Sequence, residues 1–154
     1  HWTMVAANAA IPPLLDGVAP ALLVGPVNVL RLSLHPDGLA PRILNLPEWR
    51  AHLLDRLRRQ IDMSADPVLI DLLAALKALP APVHVARPAM AHDPYGGLVV
   101  PMRLATARGC LSLFSTTTVF GTPLDITLAE LAVEAFFPAD AATAEALASM
   151  AQRP

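Results

Sequence analysis

The longest regular pattern of hydrophobic and polar positions lies between residues 46 and 62. Apolar side chains recur there every four residues, at Trp49, Leu53, Leu57 and Ile61. This spacing places them on one face, so the pattern predicts an α-helix over 46–62. Asn45 and Glu48 have the spacing of a capping box, which predicts that the Asn45 side chain caps the first turn.

Three further helical segments are indicated by their end signals. Asp66 followed by Pro67 is an N-cap with proline in the first turn, so a helix is expected from there to Pro80. Asp140 has the same role before an alanine-rich C-terminal helix. Near the N-terminus, an Ala/Leu stretch is broken by Pro12-Pro13.

Beyond residue 83 the pattern changes to the period of two that is typical of strands. Met102 and Leu104 alternate with polar or small residues, a turn follows at Arg108-Gly109, and residues 110–120 are rich in β-branched and aromatic side chains. These features predict a β-hairpin. A third strand is expected from a second alternating set: Leu131, Val133, Ala135 and Phe137. Residues 2–7 are interpreted as a short buried strand. The fold class is therefore α+β, with helices packed on one face of a small antiparallel sheet.

The stretch NVLRLSLHPDG, residues 28–38, supports two interpretations. Leu30, Leu32 and Leu34 alternate as in a strand that ends in a hairpin turn. Asn28 is also a good N-cap, with Pro36 as a stop signal, which favours a short helix. Gly38 is expected to supply a left-handed residue in the turn that follows.

Composition and charge narrow the classes of function. Of the 154 residues 55% are hydrophobic, mean hydropathy is +0.50, and sixteen prolines divide the apolar runs, so no run approaches the roughly 18 residues of a membrane helix. A net charge of −2 argues against a nucleic-acid surface on this chain. The arginines of the 46–62 helix, including Arg50, are interpreted as a solvated face. Cys110, the single cysteine, excludes an internal disulfide and suggests a reducing cytoplasm. The absence of an initiator Met suggests a piece of a longer protein.

Several segments together resemble one known family. They are WTMVAANAA (2–10), NVLRLSLHPDGLAPRI (28–43), NLPEWRAHLLDRLRRQ (45–60), VVPMRLATARG (99–109) and VFGTPLDITLAELAVEAFFPAD (119–140). Together they resemble the MmyB-like ligand-binding domain, the PAS-like C-terminal half of bacterial XRE-family helix-turn-helix transcriptional regulators. The resemblance covers nearly the whole chain.

The resemblance implies one PAS-like sensor domain over residues 1–154, with the DNA-binding domain upstream and absent from this chain. It implies a small apolar ligand, such as a fatty acid, held between helices and sheet, in a cytoplasmic regulator that forms homodimers. In relatives the segment around Asn28 lies where PAS-like folds place a helix. We therefore expect a helix rather than a strand over 28–35. The alternatives are a ligand-free dimerisation module or, less favoured, a small enzyme.

Candidate catalytic or metal-binding groups are weak. His35 and Asp37 could form an acid–base pair, but the HPDG sequence is better explained as a turn. Cys110 has no histidine motif around it, and Tyr95-Gly96-Gly97 is interpreted as a turn. His84 and His92 have no partner at metal-ligand spacing. We predict no catalytic residue, no metal and no cofactor.

The candidate ligand pocket is drawn from the residues expected to face each other across the helices and the sheet. Met102 is the strongest candidate, because methionine adapts to variable ligand shapes. A carboxylate head group would need a cation, for which Arg31 and Arg103 are the nearest candidates. The predicted pocket consists of Leu30, Arg31, Trp49, Leu53, Leu57, Met102, Leu104, Leu113 and Val133.

Overall fold

A computed structural model describes residues 1–80, 99–119 and 131–151 of the chain. These residues form three short 3-10 helices, four α-helices and three strands. The described part is an α+β fold, as predicted. The histidines at 84 and 92 and the Tyr95-Gly96-Gly97 turn lie outside the described residues, as do Leu98, Phe120 and Glu130.

The N-terminal segment is not the buried strand that was predicted for residues 2–7. It forms a single antiparallel bridge, between Thr3 and Asn28, and Val5 is 82% exposed. Two backbone hydrogen bonds hold it, from Met4 N to Val27 O and from Val29 N to Trp2 O. The pairing stops at one bridge because the partner segment enters a helix at Val29. The chain then forms 3-10 helices at Pro12–Leu15 and Pro20–Leu22.

Residues 28–38 contain a short helix, α1 (Val29–Leu34), followed by a turn, so the strand interpretation is wrong. The Asn28 side chain accepts a hydrogen bond from the Arg31 backbone N–H at 2.9 Å, which satisfies a donor of the first turn. Gly38 does not adopt the left-handed conformation that was expected. Glycine is needed at position 38 for another reason, because a Cβ there would lie 2.2 Å from the Leu32 carbonyl oxygen. That approach lets Leu39 N donate to Leu32 O. A third 3-10 helix follows at Ala40–Arg42.

Helix α2 (Leu46–Ser64) buries the apolar stripe predicted for it, but its N-terminus is not a capping box. The Asn45 side chain makes no bond to the helix. Its Oδ1 accepts from Arg103 N at 2.9 Å and its Nδ2 donates to Pro101 O at 2.8 Å. Asn45 therefore attaches the start of α2 to the first strand.

Helix α3 (Pro67–Ala78) begins as predicted, with Asp66 Oδ1 accepting from Val68 N at 2.8 Å. Its C-terminus is capped by Arg50 of α2, whose Nη2 donates to the carbonyls of Leu76, Lys77 and Leu79. A cation at a helix C-terminus also interacts favourably with the helix dipole. The interpretation of Arg50 as part of a solvated face is therefore wrong.

The sheet contains β1 (Met102–Thr106), β2 (Gly109–Val119) and β3 (Ala132–Pro138), antiparallel and in that spatial order. Leu104 pairs with Leu111, and Leu113 pairs with Pro138. Because side chains alternate along a strand, this register gives the sheet two distinct faces. The face toward the helices, here called the inner face, has these members: Met102, Leu104, Leu111, Leu113, Ser115, Thr117, Glu134, Phe136 and Pro138.

The register corrects the expectation that Val133 faces the helices. Counting back from Pro138, Val133 falls on the opposite, outer face together with Phe137, and it is 51% exposed. The polar member of the alternation, Glu134, is the one that faces the helices. It forms an ion pair there with Arg56 of α2.

Helix α4 (Ala141–Ala151) runs beside β2 where β3 ends. Asp140 Oδ1 accepts from Thr143 N at 2.7 Å, as the predicted N-cap should. The fully buried Thr143 hydroxyl accepts from Ser112 N at 2.9 Å. This hydroxyl replaces the partner that a longer β3 would have given Ser112.

Candidate functional site

The interior between the helices and the inner face of the sheet is the predicted site, and most of the predicted residues meet there. Seven of the nine belong to one buried apolar cluster: Leu30, Trp49, Leu53, Leu57, Met102, Leu104 and Leu113. Leu30 comes from α1, three come from α2, and three come from β1 and β2. Whether these residues contact a ligand remains a prediction. Leu111, Leu69 and Leu76 belong to the same cluster and were not in the predicted set.

The two other predicted residues lie elsewhere. Arg31 is exposed on α1, and Val133 is on the outer face of the sheet. Arg103, the second candidate partner for a carboxylate, pairs with Ser112 on the outer face as well. None of these three residues belongs to the buried cluster, so neither arginine brings a charge into it. Two buried polar side chains accompany the apolar cluster in the described residues: Thr143 beside β2, and Ser33, which bonds to Trp49.

That polar contact joins α1 to α2. Trp49 Nε1 donates to Ser33 Oγ at 2.9 Å, and both side chains are buried. Within the described part of the chain, every buried side-chain nitrogen and oxygen has a hydrogen-bond partner. Burying an unpaired polar group is costly, so this pairing allows the interior to stay apolar elsewhere.

Side chains of the protein fill the described interior. Leu57 and Leu104 are completely buried and Leu113 is 1% exposed. Two clefts of about 280 Å³ each lie at the surface instead. One is lined by Pro47, Arg50, Ala51, Leu54 and Arg58, and the other by Gly17, Ala19, Pro36, Asp37, Gly38, Pro41 and Arg42. Neither cleft is lined by a residue of the predicted pocket.

His52 lies at the edge of the interior, on the Trp49 side of α2. Its ring stacks on the Trp49 indole, with centroids 5.5 Å apart and planes 26° apart. Burial lowers the pKa of His52, and the positive charges of Arg56 and Arg59 lower it further. The neutral imidazole is therefore favoured at this position.

The inner face of the sheet continues beyond the buried cluster to a polar region that contains Arg56. Its Nη1 lies 2.9 Å from Glu134 Oε1, and its Nη2 donates to Thr117 Oγ1. The role of Arg56 was not predictable from local sequence, because its partners are 61 and 78 residues away in the chain. The alternation of β3 gave no signal for this pair, since a charged member of an alternating strand is ordinarily expected on the solvent side.

The outer face of the sheet is mixed in character, with an apolar, partly exposed part around Phe114 and Phe137. Phe114 and Phe137 pair directly across β2 and β3, and their rings stack with centroids 5.5 Å apart. Phe137 is 43% exposed, and Val133 and Cys110 are exposed on the same face.

The His35–Asp37 pair forms a turn. His35 Nδ1 accepts from the Asp37 backbone N–H at 3.0 Å, and the Asp37 carboxylate lies 3.8 Å away from the same nitrogen. Across residues 1–80, 99–119 and 131–151, no three His, Cys, Asp or Glu side chains come together as metal ligands would. No helix within these ranges combines the length and hydropathy needed to cross a bilayer.

Comparison with known protein families identifies a match over nearly the whole chain. The protein-family model described as MmyB-like transcription regulator ligand binding domain matches residues 1–150. No curated protein and no solved structure matches the chain.

Proposed function

The chain belongs to the family of MmyB-like transcription regulator ligand binding domains, and from this membership we propose which ligand it binds and what binding does. As a member, it is a regulatory domain, and the family implies a small-molecule ligand. The proposed ligand is apolar and fatty-acid-like. Its binding modulates DNA recognition by an XRE-type helix-turn-helix domain of the same cytoplasmic, non-catalytic regulator.

The observation that supports an apolar ligand is the composition of the cluster between α2 and the inner face of the sheet. Trp49, Leu53 and Leu57 face Met102, Leu104 and Leu113 there, and the Trp49–Ser33 bond satisfies the polar groups. An acyl chain gains free energy from such surroundings, about 0.8 kcal/mol for each buried CH₂. A charged head group has no partner inside the described cluster, so we place it at the rim.

Because side chains fill this interior, a ligand has to displace some of them. Met102 is the proposed side chain to move, since an unbranched thioether has several rotamers of similar energy. Met102 is 5% exposed. It is the first residue of β1, so it adjoins the segment that leads into the strand. The ligand-bound state is then a second arrangement of the core, which the ligand stabilises by its differential affinity.

Native mass spectrometry of freshly purified protein, followed by solvent extraction, tests this proposal first. We expect a stoichiometric apolar adduct. Alternatively, we expect a rise in melting temperature with saturated fatty acids of about 12 to 18 carbons, the approximate length of ordinary acyl chains. A clean mass and no shift with any of these acids would contradict the fatty-acid proposal.

A pair of matched variants tests the position of the site. Met102→Phe fills the space the ligand needs, and we expect about tenfold weaker binding of the best acid. Met63→Phe is the control, because Met63 is 83% exposed on α2. Equal affinities in both variants would place the ligand elsewhere in the chain.

Coupling to DNA is tested with the full regulator. In a mobility-shift titration, a ligand that changes operator affinity must itself bind more or less tightly when operator is present, by the same factor. An operator affinity that is the same with and without saturating ligand would contradict the regulatory role of the ligand.

A second candidate function, a ligand-free homodimerisation module, is favoured by one observation. The interior is filled while the outer face of the sheet exposes Phe137 and Val133 beside Phe114. Analytical ultracentrifugation of Phe137→Lys tests it, with Val68→Lys as control, because the Val68 side chain is exposed on α3. A dimer lost only in Phe137→Lys, in a chain that binds no acid, would favour this function.

A further inference from the structure

Arg56 connects three parts of the chain that are distant in sequence. On one side its guanidinium pairs with Glu134 of β3, with Nη1 and Oε1 2.9 Å apart, and donates to Thr117 of β2. On the other side it lies over the Trp2 ring, 4.6 Å from the ring centroid. A cation this close to an indole face is attracted by the negative face of the ring.

Trp2 is the centre of a docked N-terminal segment, defined here as residues 1–4. Its Nε1 donates to Gln60 Oε1 at 2.8 Å, so both the ring and its polar group contact α2. The backbone of this segment is held against α1 through the bonds from Met4 N and Val29 N. His1 adds contacts of its own, with Asp66 Oδ2 at 2.8 Å and Asn28 Nδ2 at 3.1 Å.

The backbone of this segment is strained where the contacts are densest. Trp2 has φ = 62°, a conformation that a bulky side chain rarely adopts. Such a residue keeps this conformation only while surrounding contacts hold it, so loss of a contact favours release of the segment.

We propose that Arg56 couples docking of residues 1–4 to the position of β3 against α2. The planar guanidinium satisfies Glu134, Thr117 and the Trp2 ring together only when α2, β3 and the N-terminal segment are all in their described places. If β3 moves away, the guanidinium follows the carboxylate or loses it, and in either case its position over Trp2 changes. The N-terminal segment therefore has a docked and a released state, and the sheet biases the equilibrium between them.

This coupling does not depend on the identity of a ligand or on the proposed function. It is a property of the described chain, and it is tested on the purified chain without any addition. Arg56 is a positioning residue in this proposal, since it acts on the segment through Trp2.

Amide hydrogen exchange followed by NMR is the experiment that tests the coupling. The Met4 and Val29 amides report docking, because each donates a hydrogen bond that joins residues 1–4 to residues 27–29. The Leu57 amide, in the fully buried part of α2, reports global opening. Glu134→Gln removes the carboxylate charge that pairs with Arg56, and the side chain at position 134 does not itself contact Trp2. We expect Met4 and Val29 to exchange about fivefold faster in this variant, with Leu57 unchanged, as a coupling of ordinary size predicts.

Asp55→Asn is the matched control. It removes the ion pair with Arg59, also on α2 and also 2.9 Å, but this pair is exposed and does not contact Trp2. Arg56→Lys keeps the charge and loses the planar fork, so it should reproduce the effect of Glu134→Gln. The proposal is overturned if Met4 and Val29 are unaffected in Glu134→Gln, if Leu57 accelerates by the same factor, or if Asp55→Asn has the same effect.

Discussion

The indole N–H of Trp49 and the hydroxyl of Ser33 form a buried hydrogen bond of 2.9 Å that joins α2 to α1. The two residues are 16 positions apart, and both are less than a tenth exposed. This bond gives the apolar interior a fixed orientation for its largest side chain, and so fixes which edge of the indole faces the sheet.

Ser33→Ala should therefore lower the free energy of unfolding by about 1–3 kcal/mol, because the indole N–H is left buried without an acceptor. Adding Trp49→Phe removes the orphaned donor. The measurement is urea unfolding of both single variants and the double variant. A double variant whose loss equals the sum of the single losses would mean that the two groups do not interact.

Asn45 is predicted to matter for β1 and not for the start of α2. Asn45→Ser retains a good N-cap residue but is too short to hold both Pro101 O and Arg103 N, so it should cost about 1–2 kcal/mol. Asp140→Ser at the N-cap of α4, where the side chain accepts from Thr143 N, is the control and should cost less than about 0.5 kcal/mol. Thermal unfolding at matched pH measures both. Equal small losses would indicate that Asn45 acts as a cap after all.

The register of the sheet makes opposite predictions for two residues of the predicted pocket. Leu104→Ala should cost about 2–5 kcal/mol, because it leaves a cavity in a completely buried position. Val133→Ala on the outer face should change stability by no more than about 0.5 kcal/mol. Chemical denaturation distinguishes them, and a loss above about 2 kcal/mol for Val133→Ala would contradict the described register.

His52 should make stability depend on pH. Its pKa is lowered in the folded protein from the usual 6.5, mainly by burial and then by Arg56 and Arg59, so the unfolded chain binds the proton more readily. Its contribution is complete above pH 6.5 and is lost as the pH falls from there through the lowered pKa. His52→Gln should flatten the stability profile in that window, as measured by urea unfolding between about pH 8 and 5. An unchanged slope would contradict the shift, and NMR titration of the His52 ring measures the pKa directly.

Features that depend on neighbouring residues were predictable from sequence. Asn28, Asp66 and Asp140 each cap the helix that follows, because a cap bonds to a backbone N–H two or three positions away. The apolar stripe of α2 and the hairpin around Gly109 were predictable for the same reason. Gly109 has φ = 116°, which the turn requires.

Features that depend on distant partners were not. Asn45 has the sequence context of a cap, yet its amide bonds to a strand more than fifty residues away. Arg50 has the context of a solvated residue, yet it caps the C-terminus of α3. In both cases the local pattern permitted two roles. The element packed against the residue, β1 for Asn45 and α3 for Arg50, decides which role it has.

The sequence by itself determined helices α2, α3 and α4, the three strands of the sheet, the apolar stripe of α2 and membership of the ligand-binding family. The tertiary structure decided which face of each strand meets the helices. Alternation in β3 divides Val133 from Glu134 but does not say which of them turns inward, and apolarity alone favoured Val133. The pairing of Leu113 with Pro138 turned Glu134 inward instead. The charge is tolerated there because Arg56 of α2 meets it at 2.9 Å, a compensation that no pattern within β3 could reveal.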